Sequence, residues 1–133
     1  MGGPAVELKL LGLAVIVGLV QLVWAAIAAR RQQGLKWAGG PRDEPPPPIS
    51  GVAARLDRAF HNFMETFPLF VAAVVAAYLA AKLGPLTHWG AALYVGARAI
   101  YPAAYAAGIR YLRTLIWAVS MVGLGMVVTA LFR

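Results

Sequence analysis

Four apolar stretches, each about the length of a membrane-crossing helix, constrain this chain more than any other feature. They run over residues 6–29, 59–81, 86–109 and 112–132, and about 20 apolar residues in a helix cover the roughly 30 Å of hydrocarbon in a bilayer. Composition agrees. Of 133 residues, 61% are hydrophobic and 13% charged, against about 45–50% and 25% in ordinary soluble domains. The expectation is an all-α integral membrane protein, one domain of four spans, in which the short connections after the second and third spans force antiparallel neighbours and an up-down four-helix bundle.

The formal net charge of +7 does not indicate nucleic acid, because the basic residues collect at span ends and form no continuous basic face. The first and third connections hold Arg30, Arg31, Lys36, Arg42, Arg55, Arg58, Arg110 and Arg113, whereas the other side has Lys9, Lys82 and Arg133. The positive-inside rule therefore places those two connections in the cytoplasm and both termini outside. The first span reads as a retained helix and not a cleaved signal. Lys9 before its apolar core is offset by Glu7, and Arg30-Arg31 follow directly. Cysteine is absent and His61 and His88 are the only imidazoles, so no thiolate nucleophile and no zinc site are expected.

Residues 32–52 contain Gly39-Gly40-Pro41 and Pro45-Pro46-Pro47-Pro48, a composition expected to give a solvated, partly extended cytoplasmic linker. Ser50 is the natural N-cap for the second helix. From Ala53 to Ala81 that helix would measure about 43 Å at 1.5 Å per residue, so its first turns should project beyond the hydrocarbon. Pro68 should bend it locally. Gly84-Pro85 marks its end, and Gly108 marks the turn before Arg110.

At the mouth of the second span, Arg58, Asn62 and Glu65 fall within roughly 60° of one another on a helical wheel, with Arg55 beside them. On the third span Tyr94, Arg98, Tyr101 and Tyr105 recur at spacings of four, three and four and share a face. An unpaired arginine at membrane depth costs about 2.5–3.5 kcal/mol on insertion scales. Glu65 is the acid deep enough to serve, so it is expected to pair with Arg98 or to accept a hydrogen bond from Tyr101. That pair alone could be a packing lock. Arg55, Arg58, Asn62, Tyr101, Tyr105, Arg110 and Arg113, however, converge on one membrane edge and offer more donors than one carboxylate can satisfy, which points to an anionic ligand. His61 lies off the Arg58/Asn62 face and reads as an interfacial residue.

The run Arg58-Ala59-x-x-Asn62-x-x-Glu65-x-Phe67-Pro68-Leu69-Phe70 resembles the signature of the MAPEG family, membrane-associated proteins in eicosanoid and glutathione metabolism. Ala29-Arg30-Arg31, Ala97-Arg98 followed by Tyr101 and Tyr105, and Arg113 at the start of the fourth span extend the likeness over nearly the whole chain. The resemblance implies a homotrimer with glutathione sites between subunits and a hydrophobic small molecule or lipid as second ligand. By position, Arg58, Asn62, Glu65, Tyr101 and Tyr105 would hold glutathione, with Arg30 reaching in from the adjacent subunit. Arg113 would face the thiol, with Arg110 as its competitor. Phe60 and Thr66 depart from the glutathione-transferring pattern, which has Gln and Tyr there. The family implies a glutathione-dependent transferase or peroxidase, or else a non-catalytic lipid-binding or scaffolding subunit, since some members bind lipid without catalysis.

Overall fold

The computed structural model describes residues 3–133 and is helical, with no strand among them. In chain order the helices are α1 (Val6–Gln33), the short α2 (Leu35–Gly39), α3 (Gly51–Leu79), α4 (Pro85–Ala107) and α5 (Leu112–Leu131). α4 packs most extensively on α5, and also on α1 and α3; α3 contacts all three other long helices.

Burial runs opposite to that of a soluble protein. α1 turns Ala14, Gln21 and Ala25 inward and leaves Leu13, Ile16, Val20, Val23 and Ile27 exposed. Small and polar side chains inside with large aliphatics outside is the pattern of helices that associate in lipid, where apolar burial gives little drive and close packing and hydrogen bonds supply it. α1, α3 and α5 are long and apolar enough to cross a membrane. α4 carries Arg98, His88 and three tyrosines, which lowers its hydropathy, and it is the helix whose inward face is richest in buried residues, including Thr87, Tyr94, Arg98 and Tyr101.

The linker is more structured than its composition suggests. α1 ends where Gly34 adopts φ 88°, a left-handed conformation that glycine takes without the Cβ penalty, and α2 follows at once. Gln32 and Ser50 form a reciprocal clasp: the Gln32 amide donates to the Ser50 carbonyl at 3.0 Å and its Oε1 accepts from the Ser50 N–H at 2.9 Å. The Gln33 amide donates to the Pro47 carbonyl, and the Trp37 indole to that of Glu44. The proline run is thereby strapped across the end of α1. Ser50 precedes α3, but its side chain makes no cap hydrogen bond; its backbone is engaged by Gln32 instead.

At the far end, Glu7 is buried and accepts a 2.7 Å hydrogen bond from the Thr87 hydroxyl, tying the start of α1 to the start of α4. The Lys82 ammonium donates to the Arg133 carbonyl. At the other end the α4–α5 turn needs a left-handed residue at Gly108 (φ 70°) and again at Tyr111 (φ 66°).

α4 and α5 approach through Gly90 and Gly123. A Cβ on Gly123 would lie 2.5 Å from the Gly90 carbonyl oxygen and 2.7 Å from the Tyr94 nitrogen, both backbone atoms that cannot rotate away. Gly123→Ala should therefore force the helices apart and lower stability by about 1–3 kcal/mol, the usual cost of overpacking. Gly125→Ala, where a Cβ meets nothing within 4 Å, should leave the melting temperature in detergent unchanged or slightly raised. Equal melting of the two variants would refute the close-approach argument.

Candidate functional site

Arg98 is 1% exposed and sits between α4 and α3. Its Nη2 donates to the Asn62 carbonyl at 2.9 Å, to Asn62 Oδ1 at 2.8 Å and to Thr66 Oγ1 at 2.8 Å. Thr66 shares a further hydrogen bond, 2.9 Å long, with the Tyr94 hydroxyl. The guanidinium also lies 4.8 Å from the Tyr101 ring centre and near the Phe63 and Tyr94 rings, where the faces of aromatic rings favour a cation. Nε and Nη1 find no hydrogen-bond partner among the described residues.

This corrects the expectation that Glu65 pairs with Arg98 or accepts a hydrogen bond from Tyr101. Asn62 and Thr66 stand one turn apart on the side of α3 that meets α4, whereas Glu65, about 100° from Thr66 on the wheel, is exposed and lines the cleft described below. Neutral oxygens and aromatic faces thus replace the carboxylate as partners of the buried arginine. Asn62 and Thr66 share a face at a spacing of four, and that was the sequence signal for this role.

Outside Asn62 lies a cleft of about 400 Å³ lined by Asp57, Arg58, His61, Asn62, Glu65, Tyr105 and Arg113. Five of the residues expected at the site are therefore brought together. Tyr105 organises the cationic side: Arg58 Nε donates to its hydroxyl at 3.1 Å, while the Arg113 guanidinium stacks 4.8 Å from its ring centre. The Arg58 guanidinium also lies 5.7 Å from that ring centre, so one ring contacts both arginines.

Three of the residues expected to hold or activate glutathione lie elsewhere, and so does Arg55. Tyr101 is buried among Ala59, Ala97, Ala104 and Ile116, edge-on to Tyr105, and so supports the cleft from behind. Arg110 stacks on Tyr111 and lines a separate basic cavity. Arg30 bonds Gln33, faces the Trp37 ring at 5.7 Å and lines a groove with Pro46, Pro47 and Phe60. Asp57 and His61 border both that groove and the cleft. His61 is consequently a cleft residue as well as an interfacial one: its Nδ1 lies 2.8 Å from the Asp57 carbonyl and 3.6 Å from Asp57 Oδ2, which leaves Nε2 outside this contact.

The described residues are all helical or irregular, and three of the helices are long and apolar enough to cross a bilayer, which is the build of a membrane protein. The MAPEG family profile matches residues 10–133, and the chain belongs to that family. No curated protein matches the chain at a significant level.

Removing Thr66's hydroxyl deprives Arg98 and Tyr94 of a partner within a buried network, a loss worth about 1–3 kcal/mol. Thr66→Val should therefore lower the melting temperature of the purified protein. Glu65→Gln should stay within about 0.5 kcal/mol, as surface substitutions do. The reverse order of the two variants would restore the ion pair.

Proposed function

We propose that this protein is a membrane-embedded glutathione-dependent transferase or peroxidase acting on a hydrophobic electrophile. The observation that carries this reading is the cleft's mixed charge. Arg58 and Arg113 face Asp57 and Glu65 across a space of about 400 Å³, within the roughly 300–1,000 Å³ of small-ligand sites. Such a lining suits a peptide with two carboxylates and one ammonium: the arginines bind the carboxylates, and Glu65 or Asp57 the ammonium.

Glutathione supplies the thiol that this cysteine-free chain lacks. A free thiol near pKa 8.5 is only a few per cent ionised at neutral pH. An arginine beside it favours the thiolate and keeps its own charge throughout the working range. Each unit of lowering, about 1.4 kcal/mol, gives roughly tenfold more thiolate until ionisation saturates. Arg113 is assigned this role over Arg110 because Arg113 lines the cleft and Arg110 does not.

The same proposal takes α4 as a fourth span. At 23 residues it is about 35 Å long, and its polar groups turn toward the other helices. The four long helices then form the up-down bundle, with both termini outside the cytoplasm and the α1–α3 and α4–α5 connections within it. The assembly is proposed as a homotrimer in which Arg30 of one subunit completes the cleft of the next. In support, Arg30 lies in a different groove of its own chain, across the Asp57/His61 edge of α3.

The test is ultraviolet thiolate absorbance on adding glutathione to the purified protein in detergent. The parent should show the signal, Arg113→Ala should lose about tenfold or more of it, and Arg110→Ala should keep most. A signal surviving in both variants would remove these arginines from the mechanism. Glutathione binding without any thiolate would replace catalysis by the lipid-binding role.

A further inference from the structure

A second cavity, of about 580 Å³, opens where the start of α3 meets the α4–α5 turn, and four guanidinium groups, those of Arg55, Arg58, Arg110 and Arg113, line it. The chain has five acidic residues, and none of them borders this space. That separates it from the neighbouring cleft, whose lining includes Asp57 and Glu65 beside the shared Arg58 and Arg113. Each of the four has a contact within the chain. Arg55 Nε donates to the Ala106 carbonyl at 3.1 Å, and its guanidinium lies over Gly108, 3.6 Å from where a Cβ would stand. Arg58 is fixed by the Tyr105 hydroxyl, Arg113 by the Tyr105 ring, and Arg110 by the Tyr111 ring at 4.8 Å.

Four like charges around one space repel unless an anion joins them, and their donors outnumber what the two oxygens of a carboxylate accept. A phosphate, with several charged oxygens, matches the planar forks of arginine better. Its source is indicated by what lies next to the cavity. Tyr111 is 70% exposed, and from Leu115, one turn into α5, the exposed residues Leu115, Val119 and Val122 run down one face at spacings of four and three. The basic cavity thus sits at the head of an apolar stripe on a membrane-length helix, the arrangement of a headgroup above its acyl chains.

We infer that the α3/α4–α5 cavity binds the phosphate headgroup of an anionic phospholipid, whose chains lie along α5. The site goes beyond the glutathione cleft. It shares Arg58, Tyr105 and Arg113 with that cleft but is read by lipid binding alone, so its failure and the failure of the thiol assignment are distinguishable.

Phosphatidylglycerol, phosphatidylcholine with the same acyl chains, and inorganic phosphate should each be offered to the full-length protein in mild detergent, with retention read by native mass spectrometry. Phosphatidylglycerol should be retained about tenfold over phosphatidylcholine. Arg110→Gln should reduce that preference about fivefold, the effect of one arginine at an anionic surface. Arg110 is exposed, so the variant should keep the fold; Arg110→Lys, which retains charge but loses the fork, should fall between. Lys36→Gln, an exposed charge on α2, should retain the parental preference. Equal retention of the two lipids, or a preference unchanged in Arg110→Gln, would overturn the inference. Displacement of phosphatidylglycerol by inorganic phosphate at equal concentration would overturn the lipid assignment in favour of a free-phosphate site.

Discussion

The hydrogen bonds from Arg98 to Asn62 and Thr66 decide how α3 and α4 face one another. A guanidinium in the interior of a helix assembly cannot be left to water, so the helices must rotate until acceptors meet it. Asn62 contributes two oxygens and Thr66 a third, and the Tyr101, Tyr94 and Phe63 rings close around the charge. That rotation directs Asn62 toward Arg98 and turns Arg58, His61 and Glu65 outward. The cleft is the outer face of the same contact. Polar groups used in folding and polar groups exposed to a ligand alternate along one helix, and Asn62 belongs to both sets.

Charge is sorted at the end of the assembly by a single aromatic residue. Tyr105 accepts from Arg58 at its hydroxyl and lies against Arg113, and it lines two spaces of different character. One of them includes Asp57 and Glu65 in its lining; in the other the charged residues are all arginines, with Arg55 and Arg110 added. A mixed lining suits a zwitterion and a wholly cationic lining suits a polyanion. Near a membrane edge the two are not interchangeable, because guanidiniums are screened less there than in bulk water.

The rest of the packing follows from lipid as solvent. Since large aliphatic side chains lose little by facing acyl chains, α1 and α5 leave most of them outside and approach their neighbours largely through small and polar residues, with Ile116 and Val127 the buried aliphatics of α5. Gly90 and Gly123 show the limit, with backbone against backbone. Close approach of this kind makes helix rotation an all-or-none matter. It leaves α4 free to carry tyrosines and an arginine, because its neighbours cover them.

Hydropathy, the spacing of polar residues and the punctuating glycines and prolines determined the membrane class, the main helices and the second-helix motif, because each depends only on positions along one chain segment. The convergence of Arg58, Asn62, Glu65, Tyr105 and Arg113 was also legible, since all five lie near the same end of their helices. Which neighbour each side chain meets was not. A helical wheel gives the angle between residues of one helix but not the rotation of that helix against the next. About 100° of rotation separates Thr66 from Glu65, and the tertiary structure chose Thr66 as the partner of Arg98. The same freedom hid the inward turn of Tyr101, the place of His61 on the cleft and the strap that Gln32 and Gln33 make of the proline run. Those depend on contacts between segments far apart in sequence, and only the packed helices decide them.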